Sequence, residues 1–302
     1  MKLVTFRNPA GEERSGWIHG NGVVDMNKAS GGKLPVRLLD LLNGFEAGMD
    51  LIRSLHRENI QPTHSLPEVT LLAPIPKPPS VRDFVSFETH IQNATRRTNQ
   101  PMPQEWYEIP VFYFTNHHAI VGPDQPVQRP RKCAKLDYEL ELACVIGKEG
   151  RNIKASDADD YIAGYMIFND WTARDLQAQE MKVNLGPAKG KDFATATGPY
   201  LVTKDELEPY RVNDRYDLEM KAFVNGKLLS QGNFKTVHYT FAQMIERASE
   251  DTTLYPGDVI GSGTVGFGCL LELGPETHRW LEPGDEVELT ITGLGSLRNR
   301  VI

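Results

Sequence analysis

The chain has 302 residues, of which 40% are hydrophobic and 24% charged, and a formal net charge of -7. That is an ordinary composition for a soluble globular protein, with room for one large domain and a smaller one. The acidic balance argues against non-specific binding to nucleic acid or to an anionic membrane, which needs Lys and Arg clusters. Three cysteines without a CxxC spacing argue against a disulfide framework or a thiolate zinc site.

The first residues, Met1 to Arg7, lack the long apolar run of a secretory signal, and no stretch approaches the ~18 apolar residues of a membrane span. A cytoplasmic location is the resulting expectation. Residues 2–6, 16–18 and 22–25 read as short strands, separated by Asn8-Pro9 and Gly20-Asn21-Gly22. The apolar stripe of Leu38, Leu39, Leu41, Leu42, Ile52 and Leu55 predicts a helix over 36–57. Pro74, Pro76, Pro78 and Pro79 then block both helix and ladder. They mark the expected boundary between a small N-terminal domain (1–72) and the rest (73–302).

Beyond the prolines the chain reads as short strands and turns. Asp83 and His90 stand alone and carry little information by themselves; a structural histidine is a common alternative to a base. Residues 136–146 alternate, which predicts a strand. One face carries Asp137, Glu139 and Glu141 and continues as Ala143 and Val145; the other is apolar. An acid row that runs into an apolar row implies a strand buried on both sides at one end, with carboxylates at the rim of a cavity. Like charges this close repel unless a proton or cation lies between them. Two carboxylates facing one way are half of a hard-cation site. A solvated acidic face is the alternative.

After the apolar run 165–168, a helix is expected from about 171 to 179. It would put Asp170, Arg174 and Gln177 on one face at i, i+4 and i+7, able to meet a metal, a carboxylate or an oxyanion. An N-cap plus a surface ion pair is the plain alternative. Gly186 to Phe193 forms a glycine-bounded loop with two lysines but no Walker spacing, and such lysines are commonly solvated. A second helix is expected over 241–248. The glycine-rich stretch 261–273, with Thr264 and Glu272, suits close backbone approach to a ligand or a plain hairpin connection.

Three segments are more specific together than apart: Asp137-Tyr138-Glu139-Leu140-Glu141-Leu142-Ala143, Asn169-Asp170-Trp171-Thr172-Ala173-Arg174-Asp175, and Leu185-Gly186-Pro187 with Gly190-Lys191. In this order they resemble the fumarylacetoacetate hydrolase family, and the resemblance runs from about Asp83 to the C-terminal residues. It implies an α+β, mostly β fold: a mixed β-sandwich roll, barrel-like, as the catalytic domain, with a small N-terminal α+β domain and homodimeric assembly. It implies Asp83, Glu139, Glu141 and Asp170 as ligands of Mg²⁺, or of Ca²⁺ or Mn²⁺. His90 resembles the general base and Glu272 the acid that orients it. Arg174, Gln177 and Lys191 match substrate and oxyanion positions; Tyr113, Thr264 and Phe84 match substrate-binding positions.

The implied activity is metal-dependent hydrolysis of a C–C bond in a small β-diketone acid, of fumarylacetoacetate or acylpyruvate type, as in aromatic-compound catabolism. The alternative is a 2-oxo acid (oxaloacetate) decarboxylase or an isomerase using the same metal-enolate site. Some shorter members place the base's Glu partner three residues after the His; here that position is Asn93. Fumarylacetoacetases also carry a Tyr shortly after the Arg/Gln helix, and residues 180–184 here contain none. The acyl group accepted is therefore open.

Overall fold

Turn residues and alternation give three antiparallel strands at the N-terminus of the computed structural model, which describes residues 1–302. They are β1 (Lys2–Arg7), β2 (Glu13–His19) and β3 (Gly22–Asp25). The helix expected over 36–57 is two helices, α1 (Leu38–Leu42) and α2 (Phe45–Arg57). Gly44 separates them with a non-helical backbone (φ -145°, ψ 43°), and glycine is the cheapest residue at which to leave a helix. Leu38, Leu41, Leu42, Phe45, Met49 and Ile52 form the buried stripe.

The remaining strands that matter are β4 (His64–Ser65), β5 (Val81–Phe84), β6 (Phe112–Phe114), β7 (Leu140–Ile146), β8 (Ile162–Asp170), β9 (Thr195–Thr203), β10 (Glu219–Val224), β11 (Lys227–Asn233), β12 (Val259–Gly261), β13 (Glu286–Ile291) and β14 (Gly295–Arg300). The large sheet runs β4-β3-β2-β1-β9-β8-β7-β12-β5-β6. Its neighbours along this row are antiparallel except β12 and β5, which are parallel. A second, four-stranded sheet runs β11-β10-β13-β14. The fold is thus α+β and mostly β, as expected.

Strand β7 lies at the centre and is buried along its whole length. Its two faces feed two cores. Leu140, Leu142, Cys144 and Ile146 join Met220, Ala222, Val287 and Leu289 of the small sheet in a cluster of 45 buried residues. Ala143 and Val145 join Trp17, Val24 and the stripe of α1 and α2 in a cluster of 20. The layers are therefore helices, large sheet, small sheet, and Glu141 lies on the β7 face that continues under the N-terminal segment. That segment is not a separate sheet: β1 pairs with β9, Lys2 opposite Val202 and Leu3 opposite Leu201.

Two sequence expectations change. The strand predicted over 136–146 breaks at Tyr138 and Glu139: Leu136–Asp137 pairs with Thr172–Ala173, and β7 begins at Leu140. At the break the Glu139 N–H donates to the Asn169 side chain (3.0 Å) and the Tyr138 hydroxyl meets Ser230 (2.7 Å), so side chains replace the ladder. The helix expected at 171–179 becomes α4 (Arg174–Met181), because Thr172 and Ala173 are held in that strand pair. Asp170 ends β8 and shares no helical face with Arg174 and Gln177; neither Asn169 nor Asp170 caps α4. The later helix forms as α5 (Phe241–Ser249), started by a capping box between Thr240 and Gln243. No helix is long and apolar enough to cross a membrane.

Leu142 is fully buried at the centre of the large cluster. Leu142→Ala is expected to cost about 2–5 kcal/mol, read from the urea midpoint at unchanged slope.

Candidate active site

The sheet register collects acids from distant parts of the chain. Gly261 of β12 lies opposite Ala143 of β7 on one side and opposite Asp83 of β5 on the other; Asp83 in turn lies opposite Tyr113 of β6. Asn169, next to Asp170, lies opposite Leu140. As a result one oxygen each of Asp83, Glu139, Glu141 and Asp170 lies within 4.8 Å of the others. All four residues are buried, so the alternative of a solvated acidic face is excluded. Gly261 makes room for this: a Cβ there would stand 2.5 Å from Asp83 Oδ1. The lack of a side chain at Gly261 thus serves the carboxylates and not the close backbone approach to a ligand expected of its glycine-rich stretch.

Two cations partly balance the cluster. Lys191 Nζ lies 2.5 Å from both Glu139 Oε2 and Asp170 Oδ2 and is buried, unlike the solvated lysine of a typical tight loop. Arg174 donates through Nη2 to Glu139 (2.7 Å), through Nε to Asp137 (2.8 Å) and through Nη1 to Gln177 Oε1 (3.2 Å). Asp137 is therefore not part of the acid cluster. It anchors Arg174 and also accepts from the backbone N–H groups of Leu270 and Leu271. Strand alternation had grouped it with Glu139 and Glu141; the break at Tyr138 undoes that grouping.

Burial acts on every acid here, and the neighbours decide the outcome. Burial, reinforced by Asp170, holds the Asp83 carboxyl well above its usual range. Burial and the adjacent Asp83 do the same to Glu141. Burial also raises Asp170, against the pull of Lys191. At Glu139 burial is outweighed by Lys191 and Arg174, which bring it down to about 2. Burial opposes charge on Lys191, but Asp170 and Glu139 keep the ammonium protonated.

The residues fit a hard divalent cation. The four donors are oxygens, and Asp83 Oδ1 and Asp170 Oδ1 are buried with no hydrogen-bond partner. The other oxygens are oriented from behind: Gly263 N–H (2.9 Å) and Thr264 Oγ1 (3.4 Å) meet Glu141, and the Tyr113 hydroxyl donates to Asp170 Oδ2 (2.6 Å). Tyr113 and Thr264, expected on the substrate, thus touch cluster carboxylates here. Phe84 is buried against Phe112, ring centroids 4.9 Å apart.

Next to the cluster, α3 (Glu88–Thr98) carries His90 and Asn93 on one face, and α6 (Leu270–Leu273) carries Glu272. His90 Nδ1 lies 2.7 Å from Glu272 Oε1. The same carboxylate accepts from Asn93 Nδ2 (3.0 Å), Phe267 N–H (2.7 Å), Gly268 N–H (3.2 Å) and the Cys269 thiol (3.4 Å). Surrounded by donors, it also draws a proton onto His90 Nδ1 and leaves Nε2 as the basic nitrogen. The sequence resemblance gave the His90–Glu272 pair; it gave no role to Asn93, whose i+3 spacing from His90 was the available signal.

Asp83 and Glu141 titrate higher folded than unfolded, so their stabilisation is complete below the ordinary carboxylate range and is lost as pH rises through their folded values. Glu139 has the opposite sign: its contribution is present above the ordinary carboxylate range and is lost as pH falls toward about 2, outside the window of the melting experiment. In chelator, the melting temperature should fall as pH rises from about 5 to 8, and saturating Mg²⁺ should remove the fall; calorimetry reads both. Gly261→Ala should weaken Mg²⁺ binding at least about tenfold in isothermal titration while the chain stays folded, because its Cβ collides with a ligand oxygen.

Residues 80–302 match the family description "Fumarylacetoacetate (FAA) hydrolase C-terminal". Over its whole length the chain is 34% identical to the bovine protein named oxaloacetate tautomerase FAHD2B, mitochondrial, covering 92% of it. It superposes on 5-carboxymethyl-2-hydroxymuconate delta-isomerase from Mycobacterium smegmatis with a TM-score of 0.71 and 27% identity, covering 100% of this chain and 99% of that one. It superposes on maleylpyruvate hydrolase from Sphingobium sp. SYK-6 with a TM-score of 0.75 and 25% identity, at the same coverage. With its matched segment, its sheet and its clustered acids in agreement, the chain belongs to the fumarylacetoacetate hydrolase family.

Proposed function

We propose that this protein is a divalent-cation-dependent enzyme that interconverts the enol and keto forms of a small 2-oxo diacid of the oxaloacetate type. The observation that carries this reading is the His90–Glu272 pair, which holds an oriented imidazole beside the carboxylate cluster. Arg174 is engaged by Asp137, Glu139 and Gln177, and Lys191 by Glu139 and Asp170. Three of the five Arg174 N–H donors and two of the three on Lys191 are thus committed within the site, and the remainder can still meet a substrate oxygen. His90 Nε2 is a free and oriented base. The name of the bovine relative supports the same substrate class.

Asp83, Glu139, Glu141 and Asp170 would hold Mg²⁺, Mn²⁺ or Ca²⁺, which when bound polarises the 2-oxo group and acidifies the neighbouring carbon. In the keto-to-enol direction His90 Nε2 takes a proton from that carbon while the 2-oxo oxygen gains one from solvent, the reverse direction runs both transfers backwards, and Glu272 stabilises the imidazolium through Nδ1–H. Asn93 and the Phe267 and Gly268 N–H groups keep Glu272 in place. Lys191 holds the Glu139 and Asp170 carboxylates apart from each other's charge.

A second reading, hydrolysis of the C–C bond in an acylpyruvate or fumarylacetoacetate, uses His90 to deprotonate water. The hydrolase among the superposed structures favours it. It would draw on the uncommitted N–H groups of Arg174 and Lys191 for the oxyanion. Decarboxylation of oxaloacetate would need neither His90 nor water.

An ultraviolet assay of enol decay, run beside pyruvate release, separates the three. With Mg²⁺ present, enolic oxaloacetate should convert without pyruvate appearing. His90→Ala should slow the conversion about 10²–10⁴-fold. Stoichiometric pyruvate from an acylpyruvate, with enol decay at the uncatalysed rate, would replace this reading with hydrolysis.

A further inference from the structure

Beside the oxygen cluster lies a second group of ligand atoms with different chemistry. His90, Cys269 and Glu272 offer a nitrogen, a sulfur and a carboxylate oxygen within 4.8 Å of one another, and all three residues are buried. His90 Nδ1 and Glu272 Oε1 stand 2.7 Å apart, and Cys269 Sγ stands 3.4 Å from the same oxygen. Neither Cys133 nor Cys144, the other two cysteines, belongs to such a group.

We propose that His90, Cys269 and Glu272 form a binding site for a thiophilic divalent ion such as Zn²⁺, and that filling it blocks the base. On a tetrahedral zinc, ligands about 2.0–2.3 Å from the metal stand roughly 3.2–3.6 Å from each other. The Sγ to Oε1 separation already falls in that range. The nitrogen to oxygen separation is shorter because a proton bridges those atoms, and the ion takes the proton's place as the ring and carboxylate move about half an ångström apart. The Nδ1 proton leaves and one is taken up at Nε2, so the ring stays a neutral ligand, and the thiol proton passes to solvent.

The carboxylate's other oxygen keeps Asn93 and the Phe267 N–H, so Glu272 stays anchored while the ion binds. Cys269 and Glu272 are the more enclosed members, so entry is from the His90 side, whose side chain is the most exposed of the three. A nitrogen–sulfur–oxygen donor set selects zinc over magnesium, while the four carboxylates select the hard ion. The two sites therefore sort ions by softness. Zinc on Nδ1 fixes the ring proton on Nε2, which can then no longer accept one, and inhibition follows. That last step rests on His90 acting as proposed above; ion binding does not.

Cobalt(II) and zinc(II) test this on the full chain with excess Mg²⁺. Co²⁺ should produce a near-ultraviolet thiolate-to-cobalt charge-transfer band in the wild type and in Cys144→Ala, and none in Cys269→Ala. The half-inhibitory Zn²⁺ concentration, relative to each variant's own zinc-free rate, should rise at least about tenfold in Cys269→Ala. Cys269→Ser gives the same comparison should the alanine variant fail to fold. A wild type without the band, or Cys269 variants inhibited at unchanged zinc, overturns the site. So does release of bound Mn²⁺, followed by its paramagnetic resonance signal, in step with zinc inhibition, which would place zinc at the carboxylates. The band without inhibition leaves the ion site standing and removes His90 as base.

Discussion

Four carboxylates cannot share one buried pocket without something positive among them, and the rest of this structure follows from that. Solvent does not screen them, so repulsion and desolvation act at full strength. The chain answers with two fixed cations and leaves a remainder. Lys191 spans Glu139 and Asp170, and Arg174 spans Glu139 and Asp137. Asp83 and Glu141 have no such partner, and they are the two acids pushed furthest toward the neutral form. The unpaired half of the cluster is where a divalent ion gains most.

Helix α4 governs both cations. Arg174 is its first residue, and near its end Glu180 accepts from three successive backbone N–H groups, those of Ala188, Lys189 and Gly190. That loop leads directly into Lys191. Gly190 lies so close to the backbone of Gln177 that a Cβ there would fall 2.8 Å from it. The two positive charges on opposite sides of Glu139 are thus placed by one rigid element, which keeps their spacing constant.

Much of the site was legible because its residues sit in ordered local patterns. Alternation placed Glu141 on a buried strand with Glu139 just before its start, and the family resemblance joined them to Asp83, Asp170, His90 and Glu272. What stayed hidden was set by contacts between distant segments. The ladder break at Tyr138 depends on Asn169 and Ser230, far along the chain. Alternation read without that break put Asp137 in the wrong group. The start of α4 likewise depends on Leu136–Asp137 pairing with Thr172–Ala173, which local helical propensity does not contain. Gly44, in contrast, was a local signal, and a continuous helix through it underweighted the glycine.

The pairing of β1 with β9 bears on how this architecture can be cut or recombined. Residues 1–72 look detachable when only the prolines are considered, yet their strands complete the large sheet, and their Trp17, Val24 and helix stripe cover Ala143 and Val145 on the strand that bears Glu141. Deleting them would bare an unpaired strand edge and the underside of the strand that bears Glu141 together, a template for aggregation. Grafting this segment between homologues therefore means exchanging a sheet edge and the floor of the carboxylate pocket as one piece.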